Sequence, residues 1–227
     1  PAGFPVTEEV PADHPHHNSV WIGADHLHCR VPAAGGRIEQ YTYAFYVNET
    51  FQGRAPGRIL EVGREAAEAG PGRFRVVQRL EWRGPPEWGA ESGRVAAVET
   101  RTLDVRPGEA HHLVDIRSRL EPAQWEFTIG PTRHAYFSLW VAEAMRVTSG
   151  GTLLDSRGCT GGDQISGSDA AWVDYAGPVG GGQWAGIAIF PSPETAGLRW
   201  IAYDWGTVTL NPFFHEGRLV RLGEAVR

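Results

Sequence analysis

The chain has 227 residues, 41% of them hydrophobic, enough to bury a sizeable core without disulfide staples. Its formal net charge is −6 and its basic side chains are all arginine, so no basic excess marks a phosphate-binding surface and no nucleic-acid partner is expected. No apolar run approaches the length of a membrane span, and no charged segment followed by an apolar stretch opens the chain, so neither a membrane partner nor a secretory leader is expected.

Gly (29) and Pro (16) punctuate the sequence at short intervals, the pattern of an all-β chain with many turns. A strand is expected at Ser19–Ala24 and a second over Ile38–Phe51, where Tyr, Phe and Val partly alternate with polar residues. Gly53–Gly57 reads as a turn. Arg73–Trp82 alternates clearly, with Phe74, Val76 and Leu80 set among Arg73, Arg75, Gln78, Arg79 and Glu81. Pro85–Gly93 reads as a loop. Arg94–Val105 and His111–Leu120 read as the two arms of a hairpin around Pro107-Gly108. Further strands are expected at Trp125–Ile129, Ala135–Met145, Ala171–Tyr175, Trp184–Phe190, Leu198–Tyr203, Thr207–Leu210 and Leu219–Leu222, with a Gly-rich loop over Gly158–Gly167. About a dozen short strands without clear helices predict an antiparallel two-sheet β-sandwich, and no boundary divides 1–227. Cys29 and Cys159 are too few for a disulfide framework, which suits a reducing, cytoplasmic setting.

The densest chemistry lies in Asp13-His14-Pro15-His16-His17-Asn18, followed by Asp25-His26-Leu27-His28. Imidazole titrates near neutrality and is the commonest metal ligand. On an extended chain, alternation puts His14 with His16, and His26 with His28, on common faces. These four are the candidate ligands of a divalent metal, although their spacing matches no defined zinc signature. Imidazoles that cap turns beside Pro15 are the structural alternative. Further constellations are Arg133 with His134; Asp163, Asp174 and Tyr175; and Tyr203, Asp204, Asn211 and His215. Glu99 with Arg101 reads as a cross-strand ion pair. No Gly-x-Ser-x-Gly elbow is present, and the loop at Gly158–Gly167 lacks the lysine of a phosphate loop.

The run Asp13-His14-Pro15-His16-His17-Asn18-Ser19-Val20-Trp21 resembles the DHPHH-x-x-x-W signature of the PmoA-like family. Thr132–Phe137, Gly150–Gly158, Asp169–Gly177, Ile187–Pro193, Tyr203–Gly206 and Asn211–Phe213 resemble later blocks of that family in the same order. The resemblance implies a galactose-mutarotase-like β-sandwich, and sugar chemistry by analogy. Two departures stand out. Many members carry His-Gly-Asp-x-Asn-Gly where this chain has Ala24-Asp25-His26-Leu27-His28-Cys29, and most have one or two strands before the signature, which implies a segment upstream of this sequence. The family's common label, methane oxygenase, implies apolar spans that this chain lacks.

These readings converge on an acid–base enzyme for a carbohydrate or similar polyhydroxylated small molecule. His17 and His134 would exchange protons, Asp13 or Asp174 would orient an imidazole, and Arg133 would stabilise developing negative charge. His14, His16, Asn18, Trp21, Asp174, Tyr175, Tyr203 and Asn211 would contact the substrate. The alternatives are a non-catalytic sugar-binding or accessory subunit, and a His-ligated, metal-dependent oxygenase-like enzyme. Homo-oligomerisation is left open.

Overall fold

The structure is a computed structural model that describes residues 4–12, 14, 16–86, 91–193, 195 and 197–227. Sixteen strands follow in chain order: β1 Val20–Ala24, β2 Leu27–Pro32, β3 Ile38–Ala44, β4 Ala55–Pro56, β5 Arg58–Gly70, β6 Arg73–Arg83, β7 Val95–Arg106 and β8 Leu113–Pro122. The second half supplies β9 Phe127–Ile129, β10 Ala135–Trp140, β11 Thr152–Asp155, β12 Val173–Gly180, β13 Gln183–Ile189, β14 Arg199–Ala202, β15 Thr207–Asn211 and β16 Arg218–Val220. The fold is therefore all-β. The longest helix among the described residues has 4 residues, Gly162–Ile165, and no helix there is long and apolar enough to cross a membrane.

The chain packs as two compact units, Pro1–Asp25 with Gly130–Gly217, and His26–Ile129 with Arg218–Arg227. In the first unit, the sheet β1-β10-β15-β14 and the sheet β11-β12-β13 are both antiparallel. Partners directly opposite in an antiparallel ladder share a face. Leu139, Val208, Trp200 and Ala202 thus fall on one face of the larger sheet, and pack with Leu153, Val173, Tyr175 and Val179 of the smaller one. Each fully buried large side chain in such a core contributes about 1.5–3 kcal/mol. Gly177 is required there, because a Cβ would lie 2.4 Å from the Met145 Cα. The opposite face of the larger sheet carries Trp21, Tyr136, Ser138, Trp140, Thr207, Thr209 and Asn211. This face is polar although buried: Ser138, Thr207, Thr209 and Asn211 are all 3% exposed or less, and the Ser138 and Thr209 hydroxyls are 3.0 Å apart.

The second unit contains the sheet β16-β9-β2-β3-β4, in which only the β3–β4 pair is parallel, and the long antiparallel meander β5-β6-β7-β8. Leu27, Cys29, Tyr43, Trp82, Leu120, Phe127 and Ile129 are buried in it.

The predicted hairpin around Pro107-Gly108 forms as β7 and β8. Strand β5 was not expected: its Glu, Ala and Gly residues are solvated on both faces of an edge strand, so no alternation announces it. The strand expected over Ile38–Phe51 stops at Ala44, after which Phe45 and Tyr46 are buried in a turn. Ala135–Met145 is a strand only to Trp140 and then turns into a short 3₁₀ segment.

Candidate functional site

The first feature is a column of rings. Trp21 lies on β1, and His17 stacks on it at 4.4 Å and 7°. His14 stacks on His17 at 5.7 Å and 7°, and Trp205 on His14 at 6.0 Å and 10°. Tyr203 closes the column on Trp205 at 4.7 Å and 16°. His16 sits edge-on to His17 at 4.2 Å. The indole of Trp140, from β10, leans against His14, His17 and Trp205 at 5.4, 6.1 and 4.9 Å. The backbone bends to present these imidazoles: the His17 N–H donates to the His14 carbonyl at 2.9 Å. His17 is buried, whereas Trp205 is 37% exposed and offers an aromatic surface. Asn18 is exposed beside the column, and Asp13 lies outside the described residues.

The second feature is a carboxylate–imidazole pair. Asp25 directly follows β1 and is 1% exposed. Its Oδ2 is 3.0 Å from His134 Nδ1, and its Oδ1 accepts the Thr132 hydroxyl. The Asp25 N–H donates to the His134 carbonyl at 3.1 Å, and the His134 N–H donates to Thr132 Oγ1 at 3.0 Å. Arg133 Nε donates to His134 Nε2 at 3.2 Å. A guanidinium can only donate, so Nε2 accepts and the ring proton resides on Nδ1, where it is donated to Asp25. The carboxylate therefore fixes both the tautomer and the orientation of an imidazole that stays partly exposed, with 23% of its side-chain surface accessible.

The strand register separates the two features. His17 stacks on Trp21, while His134 meets Asp25, four residues or about 13 Å of strand further along. His17 and His134 thus attach at opposite ends of the β1–β10 pair and engage different partners. The orienting carboxylate is Asp25, which sequence reasoning did not single out; Asp174 does not occupy that place. The signal for Asp25 was alternation on β1, which puts it on the same face as Trp21. Its partner, 109 residues away, could not be read from the sequence.

Several expected substrate contacts turn inward instead. Tyr175 is 1% exposed; its hydroxyl accepts from the Val147 N–H at 3.0 Å and donates to the Asp204 carbonyl at 2.8 Å, and burial pushes its pKa up to about 12. Asn211 is 0% exposed, donating to the Thr132 carbonyl at 2.7 Å and accepting from the Phe213 N–H at 2.7 Å. It braces the turn that carries Arg133 and His134 and is not available to a ligand. Asp204 Oδ1 accepts the Gly162 N–H at 2.7 Å. His215 is exposed against Phe214. Asp174 lies on the outer face of β12, where it lines an open depression of about 460 Å³ with Val147, Thr152, Leu154, Thr160 and Gly161. Burial raises its pKa above the usual carboxylate value.

Among the described residues, no group of three or more His, Cys, Asp or Glu side chains is arranged to hold a metal ion. His14 and His16 are packed into the ring column, and His26 and His28 belong to the second unit. His28 Nδ1 is 2.9 Å from the Thr42 hydroxyl, and burial, with the His26 and Arg30 charges, lowers its pKa. Cys29 and Cys159 are both free, and burial pushes the Cys29 thiol up to about 12.

A family model described as "Family of unknown function (DUF6807)" matches residues 1–227. Neither a curated protein nor a solved structure matches the chain.

Proposed function

We propose that this chain, which belongs to the DUF6807 family of unknown function, is an acid–base enzyme acting on a carbohydrate or similar polyhydroxylated small molecule. The observation that carries the reading is the Asp25–His134 pair, in which a buried carboxylate holds an imidazole in one tautomer with its other nitrogen directed outward. His134 Nε2 takes the substrate proton after Arg133 swings to the developing negative charge, and Asp25 stabilises the imidazolium that results. The ring column is a separate aromatic surface at the other end of the β1–β10 pair, where Tyr203 caps the stack over Trp205. The PmoA-like resemblance and its mutarotase-like sugar chemistry point the same way. A cytoplasmic setting suits two free thiols.

The test is turnover of a panel of hexoses, uronates and disaccharides, followed by proton NMR. His134→Gln lowers kcat by about 10²–10⁴-fold, and Asp25→Asn lowers it by a similar factor because an amide favours the wrong tautomer. The double variant is no slower than His134→Gln alone, because the two residues act as one unit. Retained turnover in both single variants removes His134 from the mechanism. A sugar-binding module is the second reading, favoured by the exposed Trp205 in its stack. It predicts saturable sugar binding without turnover, in the wild type and in His134→Gln alike.

A further inference from the structure

The four sheets end on β1 and β14, β11 and β13, β16 and β4, and β5 and β8. An edge strand presents a row of N–H and C=O groups on which another strand can pair, and folds blunt such edges by covering, shortening, charging or bulging them. All but one of these edges are blunted. Strand β1 is buried over Ile22–Ala24. The loop before β14 covers it: the Trp200 N–H donates to the Ser168 carbonyl at 2.9 Å and the Gly167 N–H to the Trp200 carbonyl at 2.7 Å. The loop after β11 folds back on it, with the Asp155 N–H donating to the Cys159 carbonyl at 3.1 Å and the Gly161 N–H to the Leu153 carbonyl at 3.0 Å. Strands β4 and β16 have only 2 and 3 residues. Strand β5 carries Arg58, Glu61, Arg64, Glu65 and Glu68, and its ladder breaks register at Glu61/Gly63 and Glu68/Gly70. Strand β8 carries Asp115, Arg117, Arg119 and Glu121, and Leu120 exchanges both backbone bonds with Val226.

Strand β13 has none of these protections. Its 7 residues, Gln183-Trp184-Ala185-Gly186-Ile187-Ala188-Ile189, include neither a charge nor a proline. It pairs with β12 on one side, and no described residue pairs with the other. Its Ala185, Ile187 and Ile189 pack on the core of the first unit yet stay only partly buried, whereas Val173, Tyr175 and Val179 of β12 are buried. On the outer face Trp184 is 57% exposed, and Phe190, just past the strand, is 68% exposed. An uncharged apolar edge with wet core-side residues is a template for a further strand.

We infer that β13 is a homodimer edge: two copies of the chain join their β13 strands antiparallel about a two-fold axis at Gly186, so that β11-β12-β13 of both copies form one continuous sheet. Opposite residues in an antiparallel pair direct their backbone groups the same way, so the axis falls on a residue. Gly186 is the middle of the strand, and an axis there gives every residue of β13 a partner. In that register the sequence is self-complementary. Trp184 faces Ala188 of the second copy on the outer side, Ala185 faces Ile187 on the core side, and Gly186 meets itself. Each large side chain thus lies against a small one, and no like charges oppose each other. The paired strands span about 20–24 Å, a contact at or below the low end of the roughly 1,200–2,000 Å² of stable complexes, so the dimer is reversible. The inference is independent of the carbohydrate reading.

The experiment follows sedimentation velocity and amide hydrogen exchange of the whole chain from about 1 to 500 µM, the range in which so small a contact associates. The mass is expected to rise from the 24.8 kDa of one chain toward twice that value. Amide protection should grow with concentration over Gln183–Ile189 and stay constant in β5 and β8. Trp184→Glu, at an exposed position, weakens association at least about 10-fold. Gly186→Cys, oxidised at high concentration, forms a disulfide between copies, because opposite Cα atoms lie about 4.5–5.5 Å apart. Trp184→Cys does not, because its counterpart lies about 13–14 Å away. The wild type, which carries Cys29 and Cys159, controls for other links. Circular dichroism confirms that the three variants are folded. A chain that stays monomeric at every concentration overturns the pairing. So does a dimer with unchanged exchange in β13, or one in which Gly186→Cys stays unlinked.

Discussion

Asp25 in the first unit and Glu99 in the second are equally buried, at 1% and 2% exposure, yet they are neutralised in different ways. Glu99 accepts from Arg101 Nε at 2.8 Å and Nη2 at 3.0 Å, from Trp82 Nε1 at 2.9 Å and from the Ser118 hydroxyl at 2.9 Å. Its main partner is permanently charged, so the arrangement has one state and acts as a clamp within the sheet. Asp25 accepts from a hydroxyl and an imidazole. Imidazole, unlike guanidinium, can give up a proton, and the proposed acid–base role of His134 rests on that difference. The position of a buried carboxylate is thus less informative than whether its partner can change charge.

Glu99→Ala sharpens the contrast most strongly. It strands the Arg101 guanidinium, whose side chain is 17% exposed, and the buried indole N–H of Trp82, and should cost about 3–5 kcal/mol in urea unfolding. Turnover per folded molecule should be unchanged, because the Asp25–His134 pair belongs to the other unit. A loss below about 1 kcal/mol would show that Glu99 is no clamp. Asp174 is a third kind of carboxyl, half-buried with neither a hydrogen bond nor an ion pair among the described residues, and its effect should be small. Burial raises its folded pKa above the unfolded value, so protonation favours the fold. Its contribution is greatest below the unfolded pKa and is lost as pH rises through the folded one. Asp174→Asn should therefore raise Tm by roughly 1–2 °C at pH 7 and leave it unchanged in acid. A fall in Tm at pH 7 would reveal a favourable partner for the carboxylate.

The parts of the fold that the sequence displays are those where one face of a strand is buried and the other is wet. Arg73–Trp82 shows this only in its second half, where Leu80 and Trp82 are buried and Arg79 is exposed, whereas Phe74 is exposed; the hairpin around Pro107-Gly108 is likewise buried only away from its turn, at Ala97, Glu99, Leu120 and Pro122. Strand β5 shows nothing of the kind, since neither of its faces has to be apolar. The ion pair of Glu99 with Arg101 was legible, but both residues lie on β7, two apart on one face, so it runs along the strand rather than across strands. The histidine segment was visible as a cluster, whereas its ring column was not: Trp21 comes from β1, Trp140 from β10, and Tyr203 with Trp205 from the turn between β14 and β15. Tyr175 and Asn211 looked like ligand contacts because they are polar. Their partners, Val147, Asp204, Thr132 and Phe213, meet them only in the folded chain and consume their polar atoms.

Asp25 holds His134 as the Nδ1–H tautomer. Long-range proton–nitrogen spectra of imidazole-labelled protein, recorded with His134 in its uncharged form, read that state without any substrate. The expected spectrum shows a protonated Nδ1 and an unprotonated Nε2, and loses that preference in Asp25→Asn. A proton on Nε2 in the wild type, or a spectrum unchanged by Asp25→Asn, would contradict it.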